Sequence, residues 1–525
     1  MPSTSTRNTR KFTVGPTRDS ATRWTLYMHR HNEILLRENE NLKCVTLSKY
    51  EMKCHVIRIA CYGQVRIGHF LLLKAFRKKM LLVGAPFAQT SQRGLRNSGA
   101  VYGCETERNI CAEIMFDRSQ GNEMRLNGSH LLPIEEKSNQ MFGATIAASK
   151  NGDSVLASAC APHYKYFFSK FEVVEPVGSC FYAQNHFTKI QEFAPCRQEP
   201  ARHGHHRFGY GMCGFSAAVP GDGDRRLFIS GPGVWYWQGA VFSQNVTDVK
   251  DRPNTADGPA HTDHHMLGYS TAAGDFDNDD VDDVVVGVPR ANQLVGMVYI
   301  YTEKLRSVVN LTDASTGQRG QYFGASLAVA DLNGDGRADL IVGSPFYTDY
   351  KSVLDTKTQE RKPQYDIGKV YVYIQSGPGA FEVPIVLTGH TQWGRFGHSV
   401  AAAGDLNGDG FEDIVVGAPF DGEDGRGAVY LYHGSKDGVR TEFTQRIEAG
   451  QVNRELRTFG FSVRGGRDID RNDYPDIAIG AFDSSQAVVL KTRPVMQVTG
   501  SIRTTRKTIN LDEKLCSTEF GRMSW

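Results

Sequence analysis

A chain of 525 residues with 60 lysines and arginines against 58 aspartates and glutamates carries a formal net charge of +2. A balance that close gives no reason to expect nucleic acid or another strongly charged polymer as a partner. Hydrophobic residues make up 40% of the chain, enough for a large core, and its ten cysteines are an even set that suits an oxidising compartment.

Taken from the N-terminus, residues 1–30 (MPSTSTRNTRKFTVGPTRDSATRWTLYMHR) are polar and basic and show no apolar core of a signal peptide. The run FLLLKAF at 70–76 is interrupted by Lys74 and falls well short of the roughly 18–20 apolar residues of a membrane span. Residues 1–77 therefore remain unassigned, and a mis-joined or incomplete chain is the expectation for both ends. From 78 onward a repeat sets in. LLVGAP at 81–86 is its barest copy, followed by FGAT at 142–145 leading to ACAP and CGFS at 213–216 leading to SGPG. LGYS at 267–270, FGAS at 323–326, FGHS at 396–399 and FGFS at 459–462 complete the series. Each of the last four is followed within a few residues by an acidic cluster and then by a β-branched run such as IVVGAP, which reads as a buried strand.

The acidic clusters share one spacing. Asp275, Asp277, Asp279 and Asp283 recur as Asp331, Asn333, Asp335 and Asp339, as Asp405, Asn407, Asp409 and Asp413, and as Asp468, Asp470, Asn472 and Asp476. Oxygens at positions 1, 3, 5 and 9 match the start of a calcium loop, in which the carbonyl of position 7 (Val281, Arg337, Phe411 and Tyr474) adds a ligand. Position 12, the bidentate Glu of a helix–loop–helix calcium hand, is Val286, Val342, Val416 or Ile479, so these loops join strands rather than helices. One such cluster would pass for a solvated acidic turn, but four in one register would not. Seven repeats at irregular intervals, each long enough for a small four-stranded sheet, predict an all-β, seven-bladed β-propeller over 78–495.

The FG-x-S and G-A-P repeats, with acid loops confined to the last four, resemble the head of integrin alpha subunits. The segment GPGVWYWQG at 231–239 is similar to the family's third blade, and TRPVMQVTGSIRTTRKTINLDEKLCS in 496–525 and just before it resembles the start of the family's immunoglobulin-like thigh domain. The resemblance implies local disulfides Cys104–Cys111, Cys160–Cys180 and Cys196–Cys213, and leaves Cys44, Cys54, Cys61 and Cys516 without a role. It implies one structural Ca²⁺ in each acid loop, on the underside of the propeller. The short interval from Cys180 to Cys213 has no room for the inserted metal-binding domain of some relatives.

For function, the resemblance implies an adhesion receptor head at the outer cell surface that pairs with an integrin beta subunit and binds matrix ligands. Mg²⁺ is expected only in the beta subunit, where it holds the ligand's Asp. The ligand's Arg, in an Arg-Gly-Asp ligand, is expected on Asp263 of HTDHHMLGYS, with Tyr236 as an aromatic wall. Trp237 is expected beside it or packed between blades. Phe208 takes a position where some relatives carry a second Arg-binding acid. A laminin-type ligand is the competing possibility, and Asp263 as a plain loop acid is the bland one. The sequons at Asn127, Asn245 and Asn310 suit a secreted glycoprotein. HGHHR at 203–207 and HTDHH at 261–265 lack zinc-ligand spacing and read as solvated loops. No G-x-S-x-G, H-E-x-x-H or phosphate loop points to an enzyme. The alternatives are a soluble calcium-stabilised propeller acting as a binding module or decoy, and a propeller accessory to a hydrolase.

Overall fold

The computed structural model describes residues 80–495 with their side chains, apart from 150–155, 169–172, 186, 198–206, 222–225, 314, 316 and 351–361. Outside that span, and at 351–354 and 361, only the backbone of strands is described. Seven antiparallel sheets account for the repeats. Six come in chain order, their first strands being Phe70–Ala75, Thr145–Ala148, Ala217–Ala218, Ser270–Gly274, Ser326–Ala330 and Ser399–Gly404. The seventh starts with Phe459–Arg467. These first strands neighbour one another in that order, and Phe459–Arg467 lies beside Phe70–Ala75, so the ring closes. The protein is a seven-bladed β-propeller, numbered here from blade 1 at Phe70.

The second strand of each acid-loop blade shows why these sequences pack as they do. Asp283–Val288, Asp339–Ser344, Asp413–Ala418 and Asp476–Ala481 are buried at every position. A strand with sheets on both sides has no solvent face, so it reads as a continuous β-branched run rather than an alternation. Apolar layers fill the gaps between blades, among them Phe323 with Tyr371 between blades 4 and 5, and Ile469 and Ala478 with Leu81 and Val83 where blade 7 meets blade 1.

The repeat motif has a direct steric meaning. A Cβ on the strand-2 glycine Gly287, Gly343 or Gly417 would lie 2.0, 2.2 or 2.1 Å from the carbonyl oxygen of Gly324, Gly397 or Gly460 in the next blade. That same carbonyl accepts the hydroxyl of the motif serine from the preceding blade: Ser270, Ser326 and Ser399 donate at 2.7, 2.8 and 2.8 Å. The serine thus ties blade to blade through a contact only glycine admits. Replacing Ser399 by Ala is expected to cost about 1 kcal/mol, seen as a lower urea midpoint at unchanged m-value. An unmoved midpoint would show that the hydroxyl does not hold the blades together.

The edges differ from expectation. Lys53–Arg58 pairs antiparallel with Gln486–Lys491 and supplies the outer strand of blade 7. Phe70–Ala75, the apolar run, is the inner strand of blade 1 and pairs with Lys78–Ala85. Part of the segment left unassigned at 1–77 therefore belongs to the ring and gives blade 7 its fourth strand. Arg10–Val14, Trp24–Met28, Glu33–Glu38 and Asn41–Thr46 form a further four-stranded sheet. The thigh-like reading of 496–525 falls outside the described residues, except for the paired backbones of Ser517–Thr518 and Gly521–Arg522. The side chains of Cys44, Cys54, Cys61 and Cys516 are likewise outside them. Disulfides join Cys104 to Cys111 across neighbouring strands of blade 1, Cys160 to Cys180 within blade 2, and Cys196 to Cys213 between blades 2 and 3.

Candidate cation loops and ligand face

Each acid loop connects the first strand of its blade to the second. Its position-1 aspartate ties the turn by accepting backbone N–H groups on both carboxylate oxygens. Asp331 takes Gly334 at 2.8 Å and Gly336 at 2.9 Å, and Asp405 takes Gly408 at 2.7 Å and Gly410 at 2.8 Å. Asp275 and Asp468 do the same for Asn278 and Asp280, and for Arg471 and Asp473. The position-7 N–H of Val281, Arg337, Phe411 or Tyr474 turns onto the position-5 side chain of Asp279, Asp335, Asp409 or Asn472.

Position 9 opens the buried strand. Asp283, Asp339, Asp413 and Asp476 accept the N–H of Phe276, Leu332, Leu406 and Ile469 at 2.9, 2.9, 2.8 and 2.7 Å. Those four position-2 side chains are themselves buried and anchor the loop, a role the sequence reading missed although an apolar residue stands there in every copy. In blades 5–7 the second oxygen of the same carboxylate takes a backbone N–H from Gln375, Gly434 or Thr492, each at 2.9 Å.

So many carboxylates at one turn are costly without a counter-charge. Burial, reinforced by its neighbours Asp277, Asp275 and Asp279 and opposed by the Phe276 N–H, pushes Asp283 up to about 7. Burial, with Asp335 and Asp331 or with Asp470 and Asp468 adding to it, pushes Asp339 and Asp476 each to about 6. Asp275, Asp277 and Asp283 bring ligand oxygens within 4.8 Å of one another, as do Asp468, Asp470 and Asp476. One oxygen of Asp277 and one of Asp470 is buried without a hydrogen-bond partner. Buried acceptors converging this way, all of them oxygen, fit a hard divalent cation.

The predicted ligand residues lie at the other end of the propeller. In an antiparallel sheet, the turn after strand 1 and the turn after strand 2 face opposite ways. The acid loops follow first strands. Val234–Trp237 follows the second strand of blade 3, and the Asp263 loop leads into the first strand of blade 4, so both share the end away from the acids. They run side by side: the N–H groups of His264, Met266 and Leu267 donate to the carbonyls of Tyr236, Trp237 and Gln238 at 3.2, 2.8 and 2.9 Å. Gln238 also holds Gly258 through its side-chain oxygen at 2.9 Å and hydrogen-bonds the Thr262 hydroxyl. Asp263 is half-buried directly after a 3₁₀ turn, Ala260–Thr262.

Trp235, Tyr236 and Trp237 all have positive φ, 48°, 58° and 62°. The same left-handed turn recurs at Asn292–Leu294 in blade 4, so it belongs to the strand connection and is not peculiar to this loop. It decides which aromatic goes where. Trp235 is buried against Phe208, ring centroids 5.4 Å apart, while Tyr236 and Trp237 stay 49% and 37% exposed. Trp237, expected between blades as one option, instead stacks on His264 and leans on the exposed Tyr210, each at 6.1 Å. Phe208 is half-buried between Trp235 and Phe242, with its ring committed to the core side of the loop. Tyr210 was not singled out in the sequence, since nothing in RFGYGMC marks it.

Comparison with known proteins agrees with this architecture. The family described as FG-GAP repeat matches residues 267–301, 323–373 and 396–432. Integrin alpha pat-2 of Caenorhabditis briggsae is 56% identical over 445 residues, covering 84% of this chain and 36% of that protein. The chain is an integrin alpha homologue. Integrin alpha-PS2 of Drosophila melanogaster is 37% identical over 475 residues and human integrin alpha-8 39% identical over 464, covering 83% and 84% of this chain but 32% and 41% of those proteins. This integrin alpha homologue therefore spans less than half the length of the relatives it matches. Among its described residues no helix is long and apolar enough to cross a membrane. Asn127 and Asn310 are exposed, and Asn245 is half-buried with its side-chain oxygen taking the Thr247 hydroxyl at 2.7 Å.

One further feature of the end away from the acid loops emerges from the fold. Aromatics gather here from the x of FG-x-S (Phe215, Tyr269, Phe461), from the turn at G-A-P (Phe87, Phe346, Phe420, Phe482) and from Tyr322 just ahead of FGAS. Phe215, Tyr269, Tyr322 and Phe346 touch in sequence at 5.2, 5.8 and 5.2 Å. The Arg395 guanidinium bridges Phe346 and Phe420, and Phe461, Phe482 and Phe87 form a second run at 4.6 and 6.3 Å.

Proposed function

We propose that this chain is the ligand-reading head of an integrin alpha subunit. On this reading it pairs with an integrin beta subunit at the outer cell surface and binds matrix ligands of the Arg-Gly-Asp type. The observation that carries it is the pair of loops locked together at the end away from the acids, Asp263 on one and Tyr236 and Trp237 on the other. A carboxylate on one loop and exposed aromatic rings on the loop paired with it suit a guanidinium, which can fork onto the two oxygens while its flat faces rest on the rings. The two runs of half-buried aromatics at the same end offer an apolar or cationic side chain of a beta subunit a place to insert. The four acid loops would each hold one Ca²⁺, which supplies the positive charge that lets the turn close, with no part in catalysis. Residues 496–525 would begin the thigh domain.

The test is binding of an Arg-Gly-Asp peptide to the chain co-expressed with a beta subunit, with and without Asp263→Ala. Loss of one partner of a buried charge pair costs about 2–5 kcal/mol, so affinity should fall roughly 30-fold or more while the heterodimer persists. Unchanged affinity would remove Asp263 from the ligand site. Failure to form any heterodimer would remove the receptor reading itself.

A further inference from the structure

The inner strands of the blades enclose an axial cavity of about 300 Å³. Most of the residues that line it are small, as with Ala147, Ala218, Ala273 and Ala402. Blade 7 breaks the pattern. Where blade 6 reads SVAAAGD, blade 7 reads SVRGGRD, so Arg464 and Arg467 stand where Ala401 and Gly404 do. Both arginines line the cavity.

Three positions along a regular strand, these side chains would face opposite ways. The register shows why they do not: Arg464 pairs with Ala478 and Arg467 with Asp476, so one extra residue bulges out between them. A bulge of this kind re-aims side chains, and here it brings both guanidiniums to the same face. Gly465 permits the close approach, since a Cβ there would lie 2.7 Å from the Ala403 Cα.

Among the described residues neither guanidinium has a hydrogen bond or a carboxylate within ion-pair distance. Glu412 also lines the cavity, but its carboxylate takes the Asp331 N–H at 3.3 Å. Asp468, next in the chain, is turned into its own loop, where it accepts from Arg471, Asn472 and Asp473. Arg464 keeps water-accessible surface although protein surrounds it, because that surface faces the cavity. The two arginines repel each other across it.

We propose that the axial cavity is an anion site in which Arg464 and Arg467 together hold a small tetrahedral oxyanion of the sulfate or phosphate class. Guanidinium forks match such an ion's oxygens, and two of them lining one cavity can grip it together. The ion removes the repulsion between the arginines and joins the last blade to the axis.

The probe is sodium sulfate titrated calorimetrically into the full chain, with chloride keeping the ionic strength constant. The variants are Arg464→Ala and Arg467→Gly, residues the neighbouring blade already accommodates at the matching positions, and Arg464→Lys, which keeps the charge but loses the fork. The proposal expects one sulfate per chain, bound roughly tenfold or more weakly by the first two variants and to an intermediate degree by the third. Unmeasurable binding by the parent chain, or equal binding by parent and Arg464→Ala, overturns it. Circular dichroism confirms that each variant is folded, so that lost binding is not lost structure.

Discussion

Removing Ca²⁺ with a chelator should lower the melting temperature of the propeller by several degrees, and restoring Ca²⁺ should reverse the change. A ligand present at ten times its dissociation constant stabilises the folded state by about 1.4 kcal/mol per site, so four filled loops contribute roughly 6 kcal/mol. Extracellular calcium modules bind at roughly 10⁻⁴–10⁻³ M, which places the transition in the millimolar range. At ~2.1 cal/mol/K per residue over about four hundred residues, the shift is roughly 7 °C. A sharper test uses the sign. Asp279→Asn introduces the residue that the blade 7 loop already carries at this position, Asn472. With Ca²⁺ present the variant should melt lower than the parent, because a charged ligand has gone. With chelator present it should melt no lower, and slightly higher if anything, because one of the charges that crowd Asp277 and Asp283 has been removed. Equal destabilisation in both conditions would mean that the loops are plain hydrogen-bonded turns and need no cation.

That prediction rests on the part of the molecule most legible in the sequence. Acids at positions 1, 3, 5 and 9 must keep their spacing because each oxygen has its own task, and the glycines of G-A-P cannot vary because a carbonyl of the next blade occupies the place of a Cβ. Such constraints leave a pattern. Lys53–Arg58 leaves none: KCHVIR closes the ring through backbone hydrogen bonds to Gln486–Lys491, which almost any extended segment can make. The inner strand Phe70–Ala75 looked only like a short apolar run, since its strand character depends on Lys78–Ala85 beside it. In VWYW, period-two alternation misleads because three successive left-handed residues reset which side chain faces inward, and Trp235 takes the buried place. The arginines of blade 7 were visible as letters, but only the bulge puts them on one face. Asp263 shows the opposite limit. Its position was found by resemblance to a family, and its carboxylate alone says little until its loop is seen hydrogen-bonded along the loop that carries Tyr236 and Trp237.

The other half of the ring should ignore the chelator and depend on a cation it carries covalently. Blades 1–3 have no acid loop of this spacing, and the three disulfides among the described residues lie in or between them. Beneath them the Lys137 ammonium is buried among oxygens: Asp117 at 3.0 Å, Glu135 at 2.8 Å, the Ser119 hydroxyl at 2.7 Å and the Gly121 carbonyl at 3.3 Å. Glu135 is held in turn by the Tyr164 hydroxyl at 2.5 Å, and Tyr164 by Arg197 at 3.0 Å. Burial opposes the charge on Lys137, but Asp117 and Glu135 outweigh it and hold the ammonium's pKa above the usual value. Burial likewise works against the Asp117 carboxylate, and Lys137 and Ser119 overcome it to hold that pKa low. A raised lysine contributes stability that is lost only as pH climbs past its folded value, and a lowered carboxylate contributes stability lost only as pH falls through its own. The cluster should therefore stabilise evenly across the neutral range. Lys137→Met keeps an unbranched side chain, one atom shorter, and removes the charge, leaving Asp117 and Glu135 buried without their partner. The expected cost is about 3–5 kcal/mol at pH 7, measured by urea denaturation, the same with Ca²⁺ as with chelator. The deficit should shrink as pH falls into the carboxylate range, where protonation relieves the stranded charges. A deficit that stays constant with pH would trace the loss to packing alone. One that appears only in chelator would mean that the two halves of the ring share a single electrostatic support rather than each holding its own.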